Sequence, residues 1–529
     1  MYVTVMDKQN KSLNRDIFPS KYADQRGWEY ASKKSPEFKK KYGQYLTPNS
    51  VANFMAQLFD FTKSDIAILD PGAGTGILAC AVLENIANLD NPPKNIKLVT
   101  YEIDTQIIPY LKQALEYSKQ WLKKKNINLS YQIKTEDFIL ANANSFSSTD
   151  TLFSLGDSPE KFDYIVSNPP YFKLSKSDPR AKTASKIVYG QPNIYAIFMM
   201  VSALLLNDNG ELVFITPRSY AAGPYFKAFR EYFFTVVQPT YIHLFGSRKD
   251  AFDKEVILQE NIILKSVKDH TFEKPHAKVT ISFSQGIKDL ENTVKKSVPL
   301  QDIIDFESKN KVLRIPVTDK EDQIVELVHS WNKNLHSLGL NISTGPVVAF
   351  RATEYITNQG QSNGHDYAPL LWMQNVKAMS INWPANCNKK QFIEDSQRTR
   401  RLLVPNKNYV VLRRFSAKEE DKRLVAAPYL SDLVKSETIG LENHLNYIYK
   451  PNGNLSLEET VGLAALLNSD ILDTYFRTSN GNTQVSATEL KDMPLPSLKT
   501  IIQIGKSIIK NNIENGQIDD LVQRSLANT

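Results

Sequence analysis

The sequence predicts an α/β protein in which a doubly wound sheet precedes a mixed α+β region. Strand-forming runs that begin near residues 66, 98, 129, 162, 211 and 241 alternate mainly with helical segments, whereas shorter segments with many aromatic residues follow residue 300. A chain of 529 residues also exceeds the roughly 250 to 300 residues at which a single core stops growing. We therefore expect an N-terminal arm at 1–40, a sheet domain at 41–300 and a second domain at 301–529.

The composition limits the environment and the partners of the protein. Its 64 Lys and Arg against 57 Asp and Glu give a net charge of +7, an excess that permits a polyanionic partner. Cys80 and Cys387 belong to no CxxC or Cys/His cluster, which favours a reducing compartment and argues against a zinc site. The longest apolar run, Ile194–Leu206, is shorter than the roughly 20 residues of a membrane span. We expect a soluble cytoplasmic protein without a bound metal.

A glycine-dense turn joins the first predicted strand to a helix. Ile66–Asp70 is predicted to be a buried strand, Pro71–Gly76 a turn and Ile77–Asn85 a helix. The three glycines of the turn let the backbone approach a bound molecule closely, while Asp70 and the helix N-terminus supply an acceptor and amide donors. The spacing is GxGxG and not GxGxxG, because Ile77 occupies the place of the third glycine, and this disfavours NAD.

Acidic residues follow the next two predicted strands. Glu102 comes after Leu98–Tyr101, where sheets of this kind hold a ribose diol, although a strand-end acid can also be a surface charge. Asp137 and Phe138 follow Leu129–Ile133. They are placed to bind an adenine amine and to pack on its ring, or equally to cap a helix and to enter the core.

A proline-rich turn follows the fourth predicted strand, Phe162–Ser167. Two consecutive prolines cannot continue a sheet ladder, so the chain leaves the sheet at Asn168. The carboxamide oxygen of Asn168 and the carbonyl of Pro169 are two acceptors for the hydrogens of a planar amine, and Tyr171 adds an aromatic face. The alternative is an ordinary proline turn with an exposed tyrosine.

Two further segments flank these motifs. Tyr42–Pro48 precedes apolar residues at helical spacing, with Thr47 predicted as the N-cap and Pro48 at the first helical position. An ordinary capped surface helix explains the same pattern. The basic and polar segment Lys173–Gly190 is predicted to be mobile.

The second domain interleaves basic residues with aromatic strand formers. Arginines beside aromatic residues suit phosphate contacts and base readout, although charge runs are often only solvated faces. The basic residues concerned are Arg398, Arg400, Arg401, Arg413, Arg414, Lys418, Lys422 and Arg423.

Together, Tyr45–Pro48, Asp70–Gly76 and Asn168–Tyr171 resemble the motifs of the gamma-class DNA adenine-N6 methyltransferases of type II restriction-modification systems, an Asn-Pro-Pro-Tyr amino-methyltransferase family. The motifs cover roughly residues 42–265 and are specific jointly rather than singly. The resemblance implies a Rossmann-like, S-adenosylmethionine-dependent sheet domain and a C-terminal DNA target-recognition domain. It implies that S-adenosylmethionine is surrounded by Thr47, Asp70, Gly72, Gly74, Glu102, Ile103, Asp137 and Phe138.

The same resemblance implies how the target adenine is held. The implied catalytic residues are Asn168, Pro169, Pro170 and Tyr171. Tyr171 would stack on one face of the base and Phe252 on the other, with Phe245 as the alternative to Phe252.

These implications predict direct methyl transfer to the exocyclic amine of an adenine that is flipped out of duplex DNA. We expect a monomer that binds double-stranded DNA and no membrane, with a cognate restriction endonuclease that forms no stable complex with it. Two other classes stay open: an RNA or protein-glutamine methyltransferase that uses the same motif, and a non-catalytic nucleic-acid-binding protein.

Overall fold

The computed structural model describes residues 17–33, 46–146, 159–188, 192–246, 261–269, 277–306, 308, 310–358, 361–362, 365–385, 388–416, 420–480, 483–513 and 515–527. The chain divides into two compact units, Met1–Val317 and Thr318–Thr529. Each unit has hydrophobic cores of its own.

The N-terminal unit is built on a sheet in which nine strands pair within the described residues. The strands are β1 Asp65–Pro71, β2 Asn95–Tyr101, β3 Asn128–Lys134, β4 Phe162–Ser167, β5 Leu206–Pro217, β6 Gln238–Phe245, β7 Asn261–Val267, β8 Lys278–Ser284 and β9 Val294–Pro299. Their spatial order is β3-β2-β1-β4-β5-β7-β6-β8-β9. The pairings among β1 to β5 are parallel, whereas β7 is antiparallel to both β5 and β6. The structure confirms the six predicted strands and adds β7, β8 and β9.

Helices cover both faces of this sheet, which is the doubly wound arrangement that the sequence predicts. They are α1 Pro19–Ser32, α2 Asn49–Ala56, α3 Ile77–Ile86, α4 Ile108–Lys123, α5 Phe138–Ala141, α6 Pro179–Thr183, α7 Ile194–Leu205, α8 Lys227–Val236 and α9 Leu300–Ile303. Met55, Leu83 and Leu111 of α2, α3 and α4 pack in the core on one face. Met199 of α7 and Phe233 of α8 pack in the core on the other.

The arm predicted at 1–40 contains a packed helix, so that prediction is wrong for residues 17–33. α1 lies against α3 and α4. Its buried face consists of small and polar residues together with one tyrosine, namely Pro19, Ser20, Ala23, Gly27 and Tyr30. Such a face gives no hydrophobic periodicity, and for this reason the sequence pattern does not reveal it.

The N-terminal unit also extends beyond the predicted boundary at residue 300. Leu300, Ile303 and Leu313 are buried in the same core as the sheet, and the unit ends at Val317. The short helix α9 and the residues after it therefore complete the core of this unit. Their apolar residues are too widely spaced to produce the pattern of a long helix or strand.

The segment predicted to be mobile, Lys173–Gly190, is packed where the structure describes it. It contains α6, and four of its apolar residues, Leu174, Ala181, Ala184 and Ile187, are buried in the core. The backbone N–H of Leu174 donates to the carbonyl of Pro192 at 2.8 Å, which ties the start of the segment to the residues before α7. The polar residues that suggested mobility lie between these buried positions.

The C-terminal unit contains small sheets and a group of helices, consistent with its predicted α+β composition. Its strands are β10 Asn341–Thr344, β11 Ile356–Thr357, β12 Gln361–Ser362, β13 His365–Leu371, β14 Val376–Lys377, β15 Ser380–Ile381, β16 Phe392–Glu394, β17 Leu403–Pro405, β18 Tyr409–Arg413, β19 Ala426–Tyr429, β20 Thr438–Leu441 and β21 Leu445–Tyr449. Two sheets have the orders β10-β21-β18-β19 and β11-β16-β13-β20-β17, with β12 paired to β13, while β14 pairs with β15. The helices are α10 Asp319–His329, α11 Leu457–Asn468, α12 Asp470–Ser479, α13 Ala487–Lys491, α14 Leu498–Asn511 and α15 Ile518–Ala527.

Helices α11 and α14 touch through two glycines. A Cβ added to Gly462 would lie 2.0 Å from the carbonyl oxygen of Ile501, and one added to Gly505 would lie 2.0 Å from the carbonyl oxygen of Glu458. Because both obstacles are backbone atoms, the helices can approach this closely only where side chains are absent. Ser469 separates α11 from α12 and is the N-cap of α12.

Gly462→Ala should destabilise the C-terminal unit by about 3 kcal/mol, although alanine is the better helix former, because the added methyl group overlaps the backbone of α14. Chemical denaturation measures the change. Gly516→Ala is the matched control, since a Cβ at Gly516 meets no atom within 4 Å. If both variants were as stable as the parent protein, the close helix contact would be wrong.

Candidate active site

The glycine turn between β1 and α3 is tied to the end of β2. Gly72 and Gly74 have φ values of +79° and +56°, which favour glycine over residues with side chains. The N–H groups of Gly72 and Ala73 both donate to the carbonyl of Tyr101 at 2.9 Å. The N–H of Gly74 donates to Glu102 Oε2 at 2.9 Å. The turn and the acid at the end of β2 are thus held together by hydrogen bonds.

Glu102 is a buried carboxylate with capacity for a ligand. Its exposed fraction is 9%, and its Oε1 accepts from the N–H of Asp104 at 2.8 Å. Burial raises the pKa of the Glu102 carboxyl, while the N–H groups of Asp104 and Gly74 act in the opposite direction. A carboxylate offers about four lone-pair sites, so acceptor capacity remains for ligand hydroxyls.

Asp70 is fully buried at the end of β1. Neither of its carboxylate oxygens has a hydrogen-bond partner. Burial raises the pKa of Asp70 to about 8, and the nearby charge of Glu102 adds to the shift. The backbone N–H of Ala79, in the first turn of α3, offsets part of this effect without forming a hydrogen bond of normal geometry.

Asp137 and Phe138 take the structural roles that the sequence left as an alternative. Asp137 is the N-cap of α5, and its Oδ1 accepts from the N–H groups of Ile139 and Leu140 at 3.0 Å each. The ring of Phe138 is 2% exposed and packs on Phe198 with ring centroids 5.1 Å apart. Both residues nevertheless line the same cavity as Glu102.

Asn168 lies at the end of β4, where Ser167 Oγ donates to the carbonyl of Pro71 at 2.7 Å. This bond joins the Asn-Pro-Pro-Tyr motif to the glycine turn. Asn168 Nδ2 donates to Thr47 Oγ1 at 3.0 Å. Pro169 is buried and Pro170 is half-buried, consistent with a turn that leaves the sheet.

The hydroxyl of Tyr171 points back toward the sheet. It lies 2.5 Å from Asn168 Oδ1 and 2.9 Å from the carbonyl oxygen of Ile215. A hydroxyl has one proton, so it can donate to only one of these acceptors at a time. Its half-buried ring meets Tyr195 edge to face, with centroids 6.2 Å apart and an interplanar angle of 87°.

These groups surround one cavity of about 540 Å³, a volume in the range of small-molecule sites. The predicted site residues that line it are Gly72, Gly74, Glu102, Ile103, Asp137, Phe138, Asn168, Pro169 and Pro170. Thr47, Asp70 and Tyr171 are not among the lining residues. The structure therefore brings the glycine turn, the strand-end acids and the proline-rich motif together at one edge of the sheet.

The prediction that Thr47 is the N-cap of α2 is wrong. Pro48 occupies the N-cap position, and α2 begins at Asn49. The pattern Thr-Pro favours a capping interpretation, but the hydroxyl of Thr47 accepts from Asn168 instead, and the residue is 4% exposed.

Tyr30 and Arg180 are among the cavity residues that were not predicted as site residues. Tyr30 of α1 lines the cavity, and its hydroxyl donates to Asp104 Oδ2 at 2.6 Å. Arg180 of α6 also lines it, forms an ion pair with Asp178 at 2.7 Å and lies 3.5 Å from Asp137 Oδ2. Both come from segments that were predicted to be poorly ordered, so the sequence offered no reason to place them at the site.

Phe252, with Phe245 as the alternative, was predicted to stack on the base opposite Tyr171. Phe252 lies outside the described residues. Phe245 is 2% exposed within β6 and packs on His243, so its ring belongs to the core and is not available to a base. Stacking by Phe252 stays a prediction.

Several basic residues of the C-terminal unit have structural partners. Arg423 is fully buried and donates to Ser416 Oγ at 3.0 Å, so its predicted contact with DNA is wrong. Lys422 is paired with Asp470 and Asp519. Half-buried residues that donate to backbone carbonyls are Arg413 and Arg414. Lys418 lies outside the described residues.

Three arginines remain exposed on one loop between β16 and β17. They are Arg398, Arg400 and Arg401. Thr399 between them is fully buried, and its Oγ1 donates to the carbonyl of Glu394 at 2.6 Å. The loop therefore has a fixed anchor and presents positive charge to solvent.

No helix within the described residues is long and apolar enough to cross a membrane. In the same part of the chain, no group of three or more His, Cys, Asp or Glu side chains is close enough to hold a metal ion.

Comparison with known proteins identifies the family. The family model of the Eco57I restriction-modification methylase matches residues 84–252. The chain is 34% identical over 493 residues to the type II methyltransferase M.BsuBI of Bacillus subtilis, covering 93% of this chain and 95% of that protein. This chain belongs to the type II restriction-modification methyltransferase family. It is similarly 34% identical over 487 residues to M.PstI of Providencia stuartii, covering 92% of this chain and 93% of that protein.

Solved structures of restriction-modification enzymes align over most of the chain at low identity. The type IIG restriction endonuclease BpuSI is 14% identical, with 91% of this chain and 61% of that chain covered and a TM-score of 0.42. DrdV in complex with DNA is 12% identical, with 95% of this chain and 60% of that chain covered and a TM-score of 0.47.

Membership of the family, shown by the two relatives of 34% identity, confirms a methyltransferase of a restriction-modification system.

Asp70→Asn should make the protein less sensitive to pH. The pKa of Asp70 is about 8 in the folded state and about 3.9 in the unfolded state, so between these pH values the folded state binds more protons than the unfolded state. The free energy of unfolding of the parental protein therefore falls as pH rises from about 4 to about 8. Asparagine at this position neither binds nor releases a proton in this pH range. The stability advantage of the variant should therefore grow by up to about 1.4 kcal/mol per pH unit across that window.

Denaturant titrations of the ligand-free protein at several pH values measure this advantage. Asp65→Asn removes an exposed carboxylate at the other end of the same strand and is the matched control. An Asp70→Asn advantage that follows the same pH course as the control would contradict the buried, proton-binding Asp70.

Proposed function

We propose that the protein is a site-specific DNA methyltransferase that transfers a methyl group from S-adenosylmethionine to the N6 amine of adenine, as the modification enzyme of its restriction-modification system. The observation that carries the proposal is that the carboxamide of Asn168 lines the same cavity as Glu102 and the glycine turn. The proposed acceptor for the amine and the groups proposed to hold the nucleoside of the cofactor therefore line the same cavity. Membership of the restriction-modification methyltransferase family supports DNA as the substrate.

The residues of the cavity fit S-adenosylmethionine. Glu102 has acceptor capacity for a ribose diol, and Gly72 and Gly74 leave the turn without side chains beside the cavity. Ile103 is 59% exposed and offers an apolar surface that an adenine ring would cover. The acidic side chain of Glu102 also suits a ligand with a sulfonium and an ammonium charge.

When bound, S-adenosylmethionine would supply an electrophilic methyl group, and the electrons of the broken carbon–sulfur bond would stay on its sulfur. Asn168 Oδ1 and the carbonyl of Pro169 accept the two hydrogens of the adenine amine. This draws the nitrogen lone pair out of conjugation with the ring, so that it forms the new C–N bond as the methyl group is released. The extra proton on the methylated amine then passes to water, and no strong base is needed.

The amine of a paired adenine is engaged in the duplex, so the base has to leave the stack. The ring of Tyr171 replaces part of the lost stacking energy. Its orientation is set by the edge-to-face contact with Tyr195 and by the position of its hydroxyl near Ile215. Phe252 is proposed to cover the opposite face of the base.

Two other functions use the same groups. The acceptors of Asn168 and Pro169 would serve any planar amine or amide, including a base in RNA or a glutamine in a protein. A non-catalytic DNA-binding protein would keep the fold without methyl transfer. The family membership favours DNA over the former, and the meeting of nine predicted site residues at one cavity argues against the latter.

Asn168→Ala should slow the methylation step by about 100-fold, because the variant lacks the acceptor that polarises the amine, while affinity for DNA and S-adenosylmethionine changes only a few-fold. Tyr171→Ala should instead reduce occupancy of the flipped state by about 1 to 3 kcal/mol. Single-turnover assays measure the first effect. The fluorescence of 2-aminopurine at the target position, which rises outside the stack, measures the second.

The two variants act as controls for one another. An Asn168→Ala protein that methylates DNA at the parental rate would defeat the proposed chemistry. A loss of 2-aminopurine fluorescence in Asn168→Ala equal to that in Tyr171→Ala would assign Asn168 to base binding rather than to catalysis.

The exposed arginine loop should supply phosphate contacts. Replacing Arg398, Arg400 and Arg401 by Gln should weaken DNA binding and make the slope of log affinity against log salt shallower by about 2 to 3, because each lost phosphate contact contributes about 0.9. Affinity for S-adenosylmethionine should not change.

The matched control replaces Lys499, Lys506 and Lys510 of α14 by Gln, which removes the same charge from exposed positions of the same unit. Fluorescence anisotropy at several salt concentrations compares the two variants. If the control lowered the salt slope as much as the arginine variant, the effect would reflect net charge and not contacts made by the loop.

A further inference from the structure

The hydrogen bond between Thr47 and Asn168 joins a buried hydroxyl to the amide that the proposed reaction uses. Asn168 Nδ2 donates to Thr47 Oγ1 at 3.0 Å, and Thr47 is 4% exposed. Leu46 and Asn168 line the cavity, whereas Thr47 is not among the lining residues. The hydroxyl of Thr47 is thus directed to the carboxamide rather than into the cavity.

The orientation of a carboxamide decides what it presents to a substrate. Its oxygen and nitrogen ends have similar size, and a half-turn of the amide exchanges an acceptor for two donors. The target amine brings two hydrogens, so Oδ1 must face it and Nδ2 must face away. With Oδ1 toward the amine, Thr47 supplies an acceptor for Nδ2.

The hydroxyl of Tyr171 does not by itself select this orientation. When it donates to Asn168 Oδ1, the amide has the productive arrangement. When it donates to the carbonyl of Ile215, its oxygen is left to accept a hydrogen, which favours an amide with Nδ2 turned toward it. Thr47 accepts from Nδ2 in the productive arrangement whichever acceptor the Tyr171 hydroxyl uses. With the amide reversed, the Thr47 hydroxyl would have to turn and donate to Oδ1.

We infer that Thr47 is a positioning residue for methyl transfer, whose hydroxyl holds the Asn168 carboxamide with Oδ1 toward the target amine. This inference rests on the proposed function. It differs from the role of cofactor ligand that the family resemblance implies for Thr47. Because Leu46 lines the cavity and Thr47 contacts Asn168, these adjacent residues also connect the cofactor site to the amide.

Thr47→Val and Thr47→Ser form the test. Valine has nearly the shape of threonine without the hydroxyl, and serine keeps the hydroxyl. At saturating S-adenosylmethionine, Thr47→Val should lower the single-turnover rate constant about tenfold, the size expected when a buried hydrogen bond is lost, and Thr47→Ser should stay within about twofold of the parent. Calorimetric affinity for S-adenosylmethionine should change by less than about twofold in either variant.

A double-mutant cycle identifies the residue through which Thr47 acts. In an Asn168→Ala background, Thr47→Val should cause no further loss of rate, because there is no carboxamide left to hold. An equal loss in both backgrounds would overturn the inference. So would a parental rate in Thr47→Val, or a rate that is restored by saturating S-adenosylmethionine after a loss of affinity, which would make Thr47 a cofactor ligand.

The activity of the parental protein distinguishes a failure of the proposed function from a failure of the role inferred for Thr47. A parental protein that methylates no DNA would overturn the proposed function and the inference together. A parental protein that is active, with Thr47→Val equally active, would overturn the inference alone.

Discussion

The parallel pairing of β1 with β4 is the constraint on which the rest of the site depends. Ile68 and Leu69 pair with Tyr164 and Ile165, so both strands end at the same edge of the sheet. The glycine turn follows one strand and the Asn-Pro-Pro-Tyr motif follows the other. The bond from Ser167 Oγ to the Pro71 carbonyl joins them at 2.7 Å. Without this pairing, the glycine turn and the Asn168 carboxamide would have no fixed separation.

The site keeps polar groups in places that cost folding free energy. Asp70 is buried with neither oxygen paired, and Glu102 is buried beside it. Unpaired buried polar groups are uncommon in native proteins and concentrate where function requires them. The apolar packing on both faces of the sheet provides the stability that tolerates this cost. Glu102 thereby stays at the wall of the cavity, where it can accept hydrogen bonds from a bound ligand.

The sequence predicts features set by local pattern and fails where contacts come from distant residues. The six strands, and the meeting of Gly72, Glu102 and Asn168 at one edge, follow from apolar runs and strand ends. The helix that carries Tyr30 was not predicted, because its buried face has small residues in place of apolar ones. Likewise, no local pattern distinguishes the buried Arg423 from the exposed Arg400, since burial depends on the residues packed around each side chain.

The central claim is that the Asn168 carboxamide acts on the amine of adenine in DNA. Nucleoside mass spectrometry and long-read sequencing of DNA from cells that express the parental protein or Asn168→Ala measure this directly. The account predicts N6-methyladenine at one fixed sequence context with the parental protein, and strongly reduced methylation with the variant. N4-methylcytosine, unmodified DNA from the parental protein, or full adenine methylation by Asn168→Ala would contradict it.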